Sequence, residues 1–167
     1  LKGKEDTLLS GSRDGTVKLW GLNESNEARL IHSHHEHLSF VNSVLLQDSM
    51  PSYPAGYAVS GGADNNLRVF DVGSFEMAGC LLKHSKNVCA LAGNNQYFIS
   101  GSWDSTAVVW DSRTLRPVWN LMGHDNAVWA VLILDEDRFI TGMHTWLVLD
   151  QTVCRFSRQN NKNLASK

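Results

Sequence analysis

Proline, cysteine and net charge are all scarce in this chain. Three cysteines occur in 167 residues (Cys80, Cys89 and Cys154), an odd number with no Cys-x-x-Cys spacing. That excludes a disulfide framework and points to a reducing compartment, so the cytoplasm and nucleus are the expected locations. Fifteen Lys and Arg stand against seventeen Asp and Glu, a net charge of -2. The balance excludes a strongly basic nucleic-acid binder and a polybasic membrane-surface protein, so neither nucleic acid nor membrane is an expected partner. The longest apolar run, Ala127 to Leu134, is eight residues and far short of a membrane-spanning helix. Leu1 opens a polar stretch without the apolar core of a secretory signal, and the chain reads as a fragment. What is present is a core: 43% of residues are apolar, too many for a disordered chain. Length alone suggests one domain.

An internal repeat changes that estimate. Leu9-Ser-Gly-Ser-Arg-Asp-Gly-Thr-Val-Lys-Leu-Trp20, Val59-Ser-Gly-Gly-Ala-Asp-Asn-Asn-Leu-Arg-Val-Phe70 and Ile99-Ser-Gly-Ser-Trp-Asp-Ser-Thr-Ala-Val-Val-Trp110 align without gaps. A damaged copy starts at Ile140-Thr-Gly142 and resumes at Asp150-Gln-Thr-Val-Cys-Arg-Phe156. A hydroxyl residue lies four positions before an Asp in Ser10/Asp14, Ser60/Asp64 and Ser100/Asp104, and an aromatic lies six after it. Steps from Asp14 to Asp64, Asp104 and Asp150 are 50, 40 and 46 residues. A period near 40 with strand content is the signature of propeller blades. Short apolar runs end in Gly at 7–11, 57–61, 97–101 and 138–142, a tight turn holds the Asp, and Val17/Leu19, Leu67/Val69 and Ala107/Val109 alternate as in a strand. The three prolines fall between candidate strands, and helix is expected to be near zero.

A histidine precedes three of the repeats, with a Val four residues later: His37/Val41, His84/Val88 and His124/Val128. His, Ser or Thr, Asp and Trp can form one buried chain of hydrogen bonds, because the carboxylate accepts, the indole donates and the other two do both. The third unit has all four members: His84, Ser100, Asp104 and Trp110. The second has His37, Ser60 and Asp64 with Phe70 in place of Trp, the first has Ser10, Asp14 and Trp20, and the fourth has His124 and Thr141.

This combination of Gly-His, Ser-Gly-Ser-x-Asp and Trp-Asp resembles the WD-repeat β-propeller family. Gly101-Ser-Trp-Asp-Ser-Thr-Ala-Val-Val-Trp110, Gly123-His-Asp-Asn-Ala-Val-Trp-Ala-Val131 and the insert 47–57 before Ser60-Gly-Gly-Ala-Asp64 resemble the phospholipase-activating protein (PLAA) family and its fungal counterparts. The resemblance covers residues 7 to about 142. It implies an all-β partial propeller of about three to four four-stranded blades, not closed. It implies a non-enzymatic module that binds ubiquitin or ubiquitylated proteins in ubiquitin-dependent protein catabolism. Domains absent from this chain would engage an AAA ATPase segregase. A generic WD-repeat scaffold docking another protein or peptide is the alternative.

The repeat divides the chain into a propeller segment, 1–142, and a divergent, disordered tail, 143–167. The blades read as 7–32 (partial), 37–83, 84–122 and 124–156 (disrupted). In the last, an Asp expected at position 145 comes five residues late, and Arg155 replaces an aliphatic residue. Propellers typically close with four to eight blades, so this arc is expected not to form a stable closed ring by itself.

No phosphate loop, Gly-x-Ser-x-Gly or His-Glu-x-x-His motif is present. The His/Ser/Asp sets look like a triad, but a fold-maintaining network repeats where an active site does not. Cys89 sits in an apolar strand and reads as a core thiol. In His32-Ser-His-His-Glu-His37, neighbouring side chains of an extended segment point in opposite directions and converge poorly on a metal. Neither a metal nor another cofactor is expected. The resemblance implies instead a partner face at the loop end of the channel, with Arg13, Ala63 and Trp103 before each Asp, and Phe40, Asn87 and Ala127 before each opening Val. Arg and Trp are the residue types that most often dominate binding energy.

Overall fold

A computed structural model describes residues 6–25, 27–135, 138–144 and 149–155, with backbone alone at 6, 144 and 149–155. Every regular element among them is a β-strand, in four antiparallel sheets. The first sheet holds β1 (Asp6–Gly11), β2 (Val17–Leu22) and β3 (Ala28–His34). The second holds β4 (Val41–Gln47), β5 (Tyr57–Gly62), β6 (Leu67–Asp71) and β7 (Met77–Leu81). The third holds β8 (Val88–Gly93), β9 (Tyr97–Ser102), β10 (Ala107–Asp111) and β11 (Pro117–Leu121). The fourth holds β12 (Val128–Ile133), β13 (Arg138–His144) and β14 (Leu149–Arg155). Within each sheet every strand pairs with its neighbour in sequence, as in a row of unclosed propeller blades. Pro117 is not between strands: it opens β11 at the outer edge of its sheet, where a missing N–H costs no ladder bond.

The core lies between the sheets. Val17 and Leu19 meet Val41, Ala58 and Phe70 between the first two blades. Val59, Leu67 and Val69 meet Val88, Phe98, Val108 and Trp110 between the second and third. Ile99, Ala107 and Val109 meet Val128 and Phe139 between the third and fourth. Alternation therefore sends Val108 and Trp110 to one neighbour and Ala107 and Val109 to the other, so β10 is buried on both faces. The outer strands β7 and β11 are mostly exposed.

Glycine sets the spacing between blades. A Cβ on Gly61 would lie 2.6 Å from Val88 Cγ1, and one on Gly101 would lie 2.9 Å from Val128 Cγ1. The opening Val of each blade fills the space that the preceding blade's glycine leaves. The insert adds a second tie: Tyr57 is fully buried and its hydroxyl donates to Ser112 Oγ at 2.8 Å, joining blade two to blade three. Burial pushes the Tyr57 phenol up to about 12.

The fourth blade corrects the alignment read from sequence. Ser10, Ser60 and Ser100 pair with Lys18, Arg68 and Val108, each eight residues on, but Thr141 pairs with Thr152, eleven on. Phe98 pairs with Trp110, and the equivalent Phe139 pairs with Cys154. Cys154 thus holds the strand position expected for Phe156, and Val153, not Arg155, holds the position of Val109. The two-residue slip preserves the side-chain parity of the strand, so a sequence pattern cannot detect it. A strand also occupies 149–155, within the stretch read as a disordered tail from 143. Position 145 and residues 156–167, where the rest of that expectation falls, lie outside the described residues.

Candidate functional site

In the first three blades the hairpin that holds the Asp has one residue in the left-handed region, directly after that Asp. Gly15 has φ 83°, Asn65 φ 70° and Ser105 φ 67°. Only the first turn uses glycine; Asn tolerates this region better than most residues, and Ser105 carries some strain. In the second and third blades this turn aims the Asp back toward the histidine of the same blade.

In the third blade the four expected groups form one chain. Trp110 Nε1–H donates to Ser100 Oγ at 2.9 Å, Ser100 Oγ lies 2.7 Å from His84 Nε2, and His84 Nδ1 lies 3.0 Å from Asp104 Oδ2. The donors order themselves: the indole gives its proton to the serine, the serine hydroxyl donates to Nε2, and Nδ1–H donates to the carboxylate. The Ser85 N–H at 2.9 Å, the Thr106 N–H at 3.0 Å and the Thr106 hydroxyl at 2.6 Å also donate to the carboxylate. Burial pushes Asp104 up, but the bonds from Thr106, Ser85 and His84 outweigh it and hold the carboxyl below its ordinary value. Burial also pushes His84 down and keeps it neutral, against the pull of Asp104. The Ser100 hydroxyl is fully buried, so no substrate can reach it as a nucleophile.

The second blade uses a partner that sequence reasoning missed. Phe70 supplies no indole, and Asn66 stands where the other turns have Thr16 and Thr106. Arg68 fills the gap: its Nη1 lies 2.8 Å from Asp64 Oδ2 and 2.6 Å from His37 Nδ1. His37 also reaches Ser60 Oγ at 2.7 Å and Asp64 Oδ1 at 3.0 Å. The network is therefore not shortened to three members; a buried guanidinium makes the fourth. Burial, chiefly, and the Arg68 charge push His37 down. The signal was a basic residue four positions after the Asp, which only the register reveals as inward-facing.

The first and fourth blades carry less. Trp20 Nε1–H donates to Ser10 Oγ at 2.9 Å, while Asp14 is exposed and held at about 2 by the Thr16 hydroxyl. His124 Nε2 lies 2.8 Å from Thr141 Oγ1, which is buried. The histidine run separates as its alternation requires: His35 reaches the Asp14 carbonyl, His32 stacks on Phe75, His34 stacks on Phe70, and His37 turns into the network. Among the described residues no group of three or more His, Cys, Asp or Glu is placed to hold a metal ion. Cys89 is half-buried, with its thiol pushed up to about 11 by burial.

The loop-face candidates fall into pairs that bridge blades. The Arg13 guanidinium lies over the Phe40 ring, 4.6 Å from its centre. Trp103 is 41% exposed and meets Trp129 across the next gap, with ring centres 5.2 Å apart and planes tilted by 53°. Ala63 and Asn87 join the frame through backbone, with Ala63 N–H donating to Phe40 O and Trp103 N–H donating to Asn87 O. Ala127 does not belong to the exposed face: it is 8% exposed, closed in beside the opening Val. Three exposed apolar residues went unnoticed, Leu38, Leu82 and Met122, which flank the network histidines in the loops between blades.

The WD domain, G-beta repeat family model matches residues 3–21 and 76–111. Those segments are WD repeats. The chain is similar to Phospholipase A-2-activating protein of Xenopus laevis, 35% identical over 131 residues, 77% of this chain and 16% of the relative. It is 41% identical over 106 residues to Ubiquitin homeostasis protein lub1 of Schizosaccharomyces pombe, 63% of this chain and 14% of the relative. It is 32% identical over 133 residues to Protein DOA1 of Saccharomyces cerevisiae, 78% of this chain and 17% of the relative. The chain thus spans about a sixth of the length of these relatives.

Proposed function

We propose that this WD-repeat segment is a non-enzymatic interaction module that binds ubiquitin or ubiquitylated proteins through its loop face, in ubiquitin-dependent protein turnover. The observation that carries the reading is the apolar character of that face. Leu38 (90% exposed), Phe40, Leu82, Trp103, Met122 and Trp129 all lie exposed in or beside the loops at the His/Asp end of the blades. Exposed apolar residues gathered on one surface mark interaction sites, and a Trp and an Arg at the rim suit a shallow apolar patch on a folded partner. The relative named Ubiquitin homeostasis protein lub1 supports ubiquitin as that partner. The buried and repeated His/Ser/Asp sets support a structural role for the residues that resemble a triad. The same reading makes the whole protein an adaptor of an AAA ATPase segregase through segments beyond this chain, working in the cytoplasm and nucleus.

Titrating labelled ubiquitin with the chain and with its Trp103→Ala variant tests the reading. Saturable binding that the variant weakens, by about 2 kcal/mol or more for a hot-spot tryptophan, is the expected result. Equal affinities would remove Trp103 from the site. A chain that captures other proteins but leaves ubiquitin unbound would be the generic WD-repeat scaffold instead.

A further inference from the structure

Around its network histidine, blade two departs from blade three in a coordinated way. Phe70 stands where blade three has Trp110, Arg68 where it has Val108, Asn66 where it has Thr106, and Gly62 where it has Ser102. In blade three the Thr106 hydroxyl donates to Asp104 and lies 3.3 Å from His84 Nδ1. In blade two Arg68 takes that place, with Nη1 at 2.8 Å from Asp64 Oδ2 and 2.6 Å from His37 Nδ1. Gly62 leaves the room for it: a Cβ there would overlap His37 Nδ1 and lie 2.6 Å from Asp64 Oδ1.

A guanidinium only donates, so His37 Nδ1 must accept; a proton on both nitrogens would press two donors together. The imidazole proton then sits on Nε2, 2.7 Å from Ser60 Oγ, and with Phe70 in the aromatic position no indole fills that oxygen. His84 carries its proton on the other nitrogen, because Trp110 donates to Ser100, Ser100 to Nε2, and Nδ1–H to Asp104.

We propose that Arg68 is a positioning residue that holds His37 as the Nε2–H tautomer, the reverse of His84, and makes blade two an acid-triggered catch on the segment 35–40. The charged groups that face His37 are Asp64, from the turn after β5, and Arg68, from β6. His37 can take a second proton only at Nδ1, where Arg68 already points, so charging it sets imidazolium against guanidinium and breaks that contact. His84, faced by Asp104 and Lys83, takes its second proton at Nε2, and the Ser100 hydroxyl need only turn. The Asp64 carboxylate that Arg68 bonds also accepts the Leu38 N–H at 3.1 Å, so losing the Arg68 contact loosens the segment that carries Leu38 and Phe40. The catch is independent of what the loop face binds.

Long-range proton–nitrogen correlation of the imidazoles in the 167-residue chain, with an acid titration, tests this. At neutral pH the proton of His37 is expected on Nε2 and that of His84 on Nδ1. Arg68→Met is expected to move the His37 proton to Nδ1 and to raise its titration midpoint by about one pH unit or more. Trp110→Phe gives blade three the aromatic residue of blade two without its arginine, and leaves His84 as Nδ1–H. On acidification His84 charges at a higher pH than His37, and the Leu38 amide loses exchange protection as His37 charges. One shared tautomer in the wild-type chain, an unmoved His37 proton in Arg68→Met, or a switched His84 in Trp110→Phe overturns the role of Arg68. A Leu38 amide that stays protected while His37 charges overturns the catch. If Arg68→Met loses its far-UV dichroism, the wild-type tautomers and Trp110→Phe decide.

Discussion

Ser100 is the joint at which the third blade's network is most exposed to test. Its hydroxyl accepts from Trp110 Nε1–H at 2.9 Å and bonds His84 Nε2 at 2.7 Å, and it is fully buried. Ser100→Ala removes one oxygen and leaves two buried polar groups without that partner. A buried group left unsatisfied costs about 1–3 kcal/mol, so the pair costs about 2–6 kcal/mol. Ser10→Ala provides the contrast: Ser10 is exposed, and water can replace it at Trp20. That loss is the net worth of one ordinary hydrogen bond, about 0.5–1.5 kcal/mol. Amide hydrogen exchange reads the local difference. Protection of β9 and β10 is expected to fall by about 30-fold or more in Ser100→Ala, and that of β1 and β2 by about tenfold or less in Ser10→Ala. Trp110→Phe in the Ser100→Ala background removes the orphaned indole N–H, so the double variant is expected to lose less than the sum of the single losses. If Ser100→Ala costs no more than Ser10→Ala, or if the two losses in blade three simply add, the four groups do not act as one network.

Two further outcomes follow from the same packing. Gly61→Ala places a methyl 2.6 Å from Val88 Cγ1 and is expected to destabilise by about 1–3 kcal/mol, with recovery in Gly61→Ala/Val88→Ala; Gly142→Ala, whose nearest neighbour is Ala130 Cβ at 3.6 Å, is expected to be neutral, and thermal melts of the three variants check the contrast. Acidification is expected to weaken the fold. His37 and His84 are held below the ordinary 6.5, chiefly by burial, so the unfolded chain binds more protons and stability falls as pH drops through and below 6.5. Asp64 and Asp104 are held below the ordinary 3.8 by hydrogen bonds that outweigh burial, so a second loss follows as pH drops below 3.8; melting temperatures that stay flat from pH 7.5 to pH 3 would refute both assignments.

Most of the network was legible in the sequence because it is built from fixed offsets. Ser four before Asp and an aromatic six after it are distances along a hairpin, and hairpin geometry converts them directly into contacts. Arg68 was not legible, because an inward-facing arginine and a surface one look alike until the register assigns a face. The fourth blade failed for a related reason: the pairing of β13 with β14 slips by two residues from the aligned register while keeping the alternation intact. On the loop face, Arg13 and Trp103 stood out by residue type, whereas Trp129 hid inside an apolar run, Ala127 to Leu134, that reads as core strand. The β-bulge directly after Val128 is a property of the pair β12 and β13, not of the run.

The sequence by itself determined the repeat, the all-β class, the strand pattern and every member of the third blade's polar chain, since each depends on neighbours within one hairpin or one blade. Tertiary structure decided which residues bridge blades: Val88 against Gly61, Tyr57 with Ser112, Arg13 over Phe40 and Trp103 against Trp129. Those contacts depend on the distance and twist between sheets, which local patterning leaves open and packing of the interblade core fixes.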